Sequence, residues 1–367
     1  MKKILIDLTQ LPIKATGVKY YAKNLVFGLD NQNEYILLIQ NDEDFFDKID
    51  KINIKKIKLK YSIFRIFIFR IILEQFYLPY LAFKYRLNAI HSLHYSFPIF
   101  APCKKIVTCM DMTFFKYPEY HEKRKVIYFK FFIILLSRFV DKVIFISKST
   151  MTDFVNIFPK FDQSKAGVIY INIKKDRKIK LQKKNNFQNF KLKNKKYILY
   201  VGTIEPRKNI LNLVKAFKYF RNNRNLYLVI AGKIGWLSEN IKKILERKNN
   251  RIIYLNYVSE NLKNHLLKNA TALIYPSFYE GFGIPLIEAM YFELPTIASN
   301  SSSMKEIINN SSFKINPKNH FDIIKKLNLI LENKKIYSNI KQKMILRSKY
   351  FEKMNANDLY SDLYKKI

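Results

Sequence analysis

The chain has 367 residues, 49% of them hydrophobic and 26% charged, which is enough for two domains with a core each and unlike a disordered or fibrous composition. Lys and Arg number 66 against 29 Asp and Glu, a formal net charge of +37. That surplus fits nucleic acid, an anionic membrane surface or nucleotide phosphates as partners, and a Lys-, Asn- and Ile-rich composition of the AT-rich kind accounts for part of it. The two cysteines, Cys103 and Cys109, form neither a disulfide framework nor a metal set, so a reducing compartment is expected. Met1 to Asp7 imitates a secretory signal for only a few residues before Asp7 interrupts it. Arg65, Arg70, Glu74, Lys130 and Arg138 break the apolar stretches, leaving no run of about 18 uncharged residues to span a bilayer.

In chain order, Lys2 to Asp7 reads as a buried strand, followed by a loop, Lys14 to Val18, and a helix from near Lys19. Between Lys55 and Arg86 cations alternate with Phe, Ile, Leu and Tyr. Phe64 to Phe76 has apolar residues at helical spacing (Phe64, Phe67, Ile68, Ile71, Ile72), which suits a helix lying on anionic lipid or a core helix with a few exposed charges. Asn88 to Pro98 gives a strand ending in a loop that contains His94. Lys105 to Cys109 gives another strand, ending at Met110 and Asp111. A helix from about His121 to Phe139 follows, then a strand over Lys142 to Ile146, with Ser147 placed to cap the next helix. Val168 to Asn172 reads as the last strand of this half. The Lys- and Asn-rich stretch 176–196 reads as a linker, dividing the chain into domains 1–175 and 197–345 and a helical tail, 346–367.

The second half repeats one design. Tyr197 to Val201 is a strand running into Gly202-Thr203-Ile204-Glu205-Pro206-Arg207-Lys208-Asn209, then a helix with Leu211, Val214 and Phe217 on one face. A lysine and an arginine at such a turn suit a held anion, one as a point charge and one as a fork. Leu228 to Lys233 is a strand closing on Gly232, and Arg251 to Leu255 a further strand leading by Tyr257 into a helix. Thr271 to Tyr275 is a strand closed by Pro276 and Ser277, after which Glu280-Gly281-Phe282-Gly283-Ile284-Pro285-Leu286-Ile287-Glu288 turns into a helix. Gly281 and Gly283 permit a tight turn, Pro285 suits the first helical turn, and the free N–H groups there suit phosphate. Glu280 falls at the lip of the strand and Glu288 about one turn inside the helix, so the two line one crevice without touching. Pro295 to Ser299 is another strand, followed by a Ser-rich turn to Glu306.

Pro276 to Met290 closely resembles the signature of glycosyltransferase family 4, retaining enzymes of the GT-B fold that use nucleotide-sugar donors. The resemblance covers nearly the whole chain, most strongly Tyr197 to Glu306. It implies two Rossmann-like α/β domains with parallel sheets facing across a cleft and a tail that packs back on the first domain. It also implies that Lys208 and Arg207, with the helix dipole near Gly283, offset charge on the leaving diphosphate. Glu280 is expected to bind the donor sugar's hydroxyls and Glu288 the ribose. Gly17, Gly202, Thr203, Gly232, Lys233, Gly281, Phe282 and Ile284 line the donor site, and Tyr257 lies near the base. Asp111 is kept where relatives carry His-Asp, but Met110 replaces the histidine, with His94 a partial substitute. No metal and no cofactor besides the donor is implied. The Glu205 to Asn209 phrase resembles enzymes that use GDP-mannose, with UDP-sugars next. The expected acceptor is a lipid-linked glycan of a surface polysaccharide, at the cytoplasmic face of the membrane. Two other classes remain: a non-enzymatic nucleic-acid binder, prompted by the charge, and a degenerate transferase, prompted by Met110 and by Glu293 at a position where glycine is commoner.

Overall fold

The computed structural model describes residues 1–11, 17–43, 45–46, 49–60, 66–173, 192, 195–220, 225–247, 251–354 and 356–367. Most of the expected linker, 176–196, lies outside them, as do positions 14–16 of the loop before the first helix and Phe64 and Arg65. The chain divides into two compact units. The first comprises Met1–Pro118, Glu122–Asn172 and Met354–Ile367, and the second Glu119–His121 and Ile173–Lys353.

The first unit runs β1 (Lys3–Asp7), α1 (Gly17–Phe27), β2 (Glu34–Ile39), β3 (Ile54–Lys58), α2 (Phe67–Ile72), a π-helical turn (Leu73–Tyr77), α3 (Leu78–Tyr85), β4 (Ala89–Ser92), β5 (Lys104–Cys109), α4 (Thr113–Lys116), α5 (Lys123–Phe139), β6 (Lys142–Phe145), α6 (Lys148–Ile157) and β7 (Ala166–Val168). Its strands pair in parallel in the order β3-β2-β1-β4-β5-β6-β7. Central strands such as Ile4-Leu5-Ile6 are apolar without alternation because helices cover both faces of a parallel sheet. The edge strand β3 instead carries Lys55, Lys56 and Lys58, charges that discourage further pairing. The Ser147 hydroxyl accepts from the Thr150 N–H and starts α6.

The second unit runs β8 (Lys196–Val201), α7 (Ile210–Tyr219), β9 (Leu226–Ala231), α8 (Glu239–Glu246), β10 (Ile252–Tyr254), α9 (Glu260–Asn269), β11 (Ala272–Tyr275), α10 (Ile284–Tyr291), β12 (Thr296–Ser299), α11 (Ser302–Ile308), β13 (Phe313–Ile315), α12 (His320–Glu332) and α13 (Lys334–Lys353). Its sheet, also parallel, has the order β10-β9-β8-β11-β12-β13. After α13 the chain returns to the first unit as α14 (Ala356–Lys365). The expected tail boundary at 346 falls inside α13. No helix among the described residues is long and apolar enough to cross a membrane.

Three local expectations need correction. The last strand of the first half is Ala166–Val168, not Val168 to Asn172, because its partner β6 offers a ladder only over Val143 to Phe145. Ile169, Ile171 and Ile173 are buried by side-chain packing outside the sheet. On α7 the buried face is Ile210, Leu213, Val214 and Phe217, whereas Leu211 is 45% exposed, since a spacing of three drifts off a 3.6-residue stripe. In α2, Ile68 and Ile72 face solvent instead of the core, and Leu73, Leu78, Leu81 and Ala82 make the packing against Leu5, Ile36, Leu38 and Ile90.

Candidate active site

In the second unit the strand order reverses between β8 and β11. Connections from β8 go one way along the sheet, and those from β11 go the other way, so the loops after these two strands diverge and leave a crevice at their carboxyl ends. Arg207 and Lys208 stand on the loop after β8, and Glu280 on the loop after β11.

Geometry ties the two loops together. Lys208 Nζ donates to Glu280 Oε1 at 2.6 Å and Oε2 at 2.7 Å. Arg207 Nη1 donates to Glu280 Oε2 at 3.2 Å and to the Tyr279 carbonyl at 2.5 Å, while Nη2 donates to Glu205 Oε1 at 2.6 Å. Asn209, in the left-handed region at φ 60° that asparagine tolerates, donates its amide to the Pro276 carbonyl at 3.0 Å. The Phe278 N–H donates to the Arg207 carbonyl at 2.9 Å. Burial alone would raise the Glu280 carboxyl, but Lys208 and then Arg207 outweigh it and bring its pKa down to about 2. The carboxylate is therefore ionised and clamped. Cations fill three of its roughly four lone-pair directions, so it acts first as the anchor that aims Lys208 and Arg207.

Gly283, at φ 106°, precedes α10, and no side chain caps the helix. Pro285, which has no N–H, occupies the first turn, and the Leu286 N–H bonds back to the Gly283 carbonyl at 3.0 Å, so what α10 offers on the Glu280 loop is the positive end of its dipole. Three serines brace the turn from α11. Ser302 Oγ accepts from the Glu280 N–H at 2.9 Å, Ser303 Oγ reaches the Glu280 and Phe282 carbonyls at 2.8 Å each, and Ser301 Oγ donates to the Phe278 carbonyl at 3.0 Å. Sequence reading recorded these residues only as a Ser-rich turn. Their spacing after β12 was the available signal, but their partners lie more than 20 residues earlier.

At the ends of β8 and β9, Gly202 and Gly232 both have positive φ. A Cβ on Gly232 would sit 1.8 Å from the Gly202 carbonyl oxygen, so this approach of two backbones needs glycine. Thr203 and Lys233 follow them, half-buried, and the Ile204 N–H bonds to the Lys233 carbonyl at 2.9 Å. Tyr257, after β10, is exposed. Glu288, on α10, does not share the Glu280 cluster. Its Oε1 accepts from Lys263 Nζ at 2.6 Å, and Lys263 also holds Glu260 at 2.8 Å. Burial lowers the ammonium's pKa, but these two carboxylates overcome it and raise the net value, so Lys263 stays charged. No local pattern pointed to Lys263, which reaches Glu288 from helix α9. The Glu293 departure is now explicable: its φ of 56° is left-handed, a conformation glycine adopts freely and other residues at about 1–2 kcal/mol.

Gly17 and Asp111 belong to the first unit. Gly17 opens α1, exposed. Asp111 accepts from the Tyr95 hydroxyl at 2.7 Å and the Thr113 N–H at 2.9 Å, beside buried Met110. His94 packs its ring against Tyr95 and Phe129, and burial together with Arg70 pushes its pKa down to about 3. It therefore stands as a neutral ring among these aromatics, partly exposed. In this unit the strand order reverses between β1 and β4, and Glu74, fully buried, gathers Gln10 at 3.0 Å, Ser96 at 2.8 Å, Tyr128 at 3.2 Å and Arg70 there. Among the described residues no group of three or more His, Cys, Asp or Glu side chains is placed to hold a metal ion.

Comparison with known proteins bears on the fold and on the chain's relatives. The chain is 28% identical over 232 residues to the O-antigen chain mannosyltransferase B of Escherichia coli, covering 58% of each chain. It is 28% identical over 225 residues to the O-antigen chain mannosyltransferase RfbU of Salmonella typhimurium, covering 61% of this chain and 59% of that one. The match thus spans less than two thirds of these relatives' length. Among solved structures, Anabaena Alr3699/HepE in complex with UDP and glucose superposes with a TM-score of 0.75 at 16% identity over 100% of both chains. WaaG, a glycosyltransferase involved in lipopolysaccharide biosynthesis, gives 0.72 at 12% identity over 98% of this chain and 99% of the other. The fold is accordingly GT-B, two parallel-sheet α/β units, and residues 182–347 match the family described as glycosyl transferases group 1.

Proposed function

We propose that the chain is a retaining glycosyltransferase of family 4 that moves a hexose, mannose from GDP-mannose in the first instance, onto a lipid-linked glycan acceptor in bacterial surface polysaccharide synthesis, at the cytoplasmic face of the membrane. The Arg207–Lys208–Glu280 cluster beside the uncapped start of α10 carries this reading. As the bond from the anomeric carbon to the diphosphate breaks, negative charge collects on the leaving oxygens. Lys208, Arg207 and the positive end of the α10 dipole offset it without having to reorganise, because Glu280 and the serines already hold them in place. Each carboxylate of the motif is engaged by a lysine, which supports a course in which neither attacks the sugar and the acceptor hydroxyl enters from the leaving-group side. Asp111 is the first unit's proposed contribution. The mannosyl choice draws on the named activities of the relatives and on the Glu205 to Asn209 phrase.

The deciding measurement is thermal stabilisation by GDP, UDP, ADP and CMP in a buffer containing a metal chelator. A selective rise with GDP is expected, and a ligand at about 100 times its dissociation constant contributes about 2.7 kcal/mol. A selective rise with UDP would move the donor to a UDP-sugar, and no rise with any nucleotide would return the chain to the degenerate or nucleic-acid-binding class.

Lys263 supplies a second test. It pins Oε1 of Glu288 and leaves Oε2 with no hydrogen-bond donor among the described residues, ready to accept from a ribose hydroxyl. Lys263→Met should weaken calorimetric binding of the preferred nucleoside diphosphate about tenfold, or 1.4 kcal/mol, and leave its 2′,3′-dideoxy analogue unaffected. Equal losses for both ligands would remove Glu288 from ribose binding.

A further inference from the structure

Helices α2 and α3 and the π-helical turn between them carry a row of large apolar side chains that remain open to solvent: Ile68, Ile72, Phe76, Tyr80 and Phe83, with Phe76 71% and Phe83 79% exposed. A plain α-helix would carry residues spaced by four steadily around its axis. The wider π turn at Leu73–Tyr77 steps them back, so the row keeps to one side. The opposite side is already satisfied, with Leu73, Leu78, Leu81 and Ala82 packed on the sheet, so the open row is not surplus core.

Helix α5 shows the same division. Phe132, Ile133 and Leu136 are buried, while Ile127 and Phe131, four apart, stand out in solvent. The two helices lie together: the Tyr128 hydroxyl donates to Glu74 at 3.2 Å, and Phe97 meets the Phe132 ring while its carbonyl accepts from Gln75 at 3.0 Å. The Ile99 N–H bonds to Gln75 at 3.1 Å, which brings Phe100, 82% exposed, to the same region.

Charge identifies what covers this surface. Lys84 and Arg86 are exposed at the end of α3, and Lys123, Arg124 and Arg138 are exposed at the two ends of α5, where Lys125 is paired with the exposed Glu122 at 3.1 Å. Glu74, the one acidic residue of the 67–85 stretch, is turned inward and fully buried. Aromatic and aliphatic side chains ringed by cations, on a chain of net charge +37, match the boundary between lipid phosphates and acyl chains. A protein partner of matching character would need an acidic rim around an apolar centre.

We infer that this surface seats the first unit on the anionic face of a lipid bilayer, with Phe76, Phe83 and Phe131 entering the headgroup boundary and the flanking lysines and arginines meeting lipid phosphates. Seating of this kind needs no donor chemistry, so the two ideas fail separately: vesicle binding reads this one, and nucleotide stabilisation reads the other.

The test is co-sedimentation of the full chain with phosphatidylcholine vesicles and with vesicles containing phosphatidylglycerol, at rising salt. Binding to the anionic vesicles is expected, weakening as salt screens the charges. The double variant Phe76→Ser/Phe83→Ser should bind about tenfold more weakly or worse, with unchanged melting temperature and nucleotide response, because both rings are already exposed. Lys84→Glu/Arg86→Glu should lose the preference for anionic lipid. Absence of binding at low salt overturns the inference, as does a serine variant that binds like the parent. A lipid-free dimer abolished by the serine changes would also overturn it, making a second copy the occupant.

Discussion

Lys208→Ala is expected to reduce turnover by about a hundred- to a thousandfold, the loss seen when one preorganised donor facing developing charge is removed. The same change should erase stabilisation by the nucleoside diphosphate. It also acts on the fold. Glu280 keeps only Arg207 as a charged partner, and breaking a buried pair from one side costs about 3–5 kcal/mol. A structural role alone would lower the melting temperature and leave the activity of the surviving folded enzyme intact, so activity must be read well below the variant's own melting point. Lys208→Arg separates the effects further: it keeps the charge, but a planar fork cannot reproduce a single nitrogen held 2.6 and 2.7 Å from the two carboxylate oxygens, and partial recovery of binding without full turnover is expected. Near-normal turnover in Lys208→Ala would take this residue out of the chemistry.

Glu280→Gln should be nearly as severe for transfer and opposite in sign for anion binding. With the carboxylate gone, Lys208 and Arg207 face the crevice and Glu205 is the carboxylate that still holds Arg207. Inorganic pyrophosphate, titrated calorimetrically, should therefore bind more tightly to the variant while sugar transfer collapses. The pH dependence follows from the depressed carboxyl. Its folded value of about 2 lies below its ordinary one, so its contribution is complete above the ordinary value and disappears as pH falls through about 2. That contribution is on the order of 3 kcal/mol, and the stability gap between parent and variant should close across that acidic window. A gap that stays constant with pH, or a variant that still transfers sugar, would contradict the role given to Glu280.

What could be read from the sequence follows a physical division. The turn from Glu280 to Glu288 was legible because local chemistry determines it: a strand stopped by Pro276, a glycine at positive φ, a proline in the first helical turn. Lys208 stood out through the resemblance of its turn to a donor-diphosphate turn, and not through local chemistry alone. The bracing by Ser301, Ser302 and Ser303 and the pairing of Lys263 with Glu288 were not, because tertiary folding alone brings those partners together. Periodicity found the helical stretch from Phe67 to Phe76 but not its buried side, since the π turn shifts the phase and the sheet selects the side that packs. The apolar run Val168 to Asn172 looked like a strand because burial and strand pairing leave the same mark on composition, yet only Ala166 to Val168 meets a partner.

Helix α14 sets a timetable for the amino-terminal unit. Its Tyr364 hydroxyl meets His91 Nδ1 at 2.7 Å, its Tyr360 bonds the Tyr21 hydroxyl, and both rings fill the space beneath α1 and β4. Until those residues are made, His91, Thr108 and Tyr21 face water in an unfinished core. Translation at about 5–20 residues per second leaves that gap open for roughly ten to forty seconds while the whole second unit is synthesised. Nascent chains stalled before residue 356 should therefore engage chaperones and yield to proteases through their first 172 residues, and a fragment ending there should not be expected to behave as a folded domain.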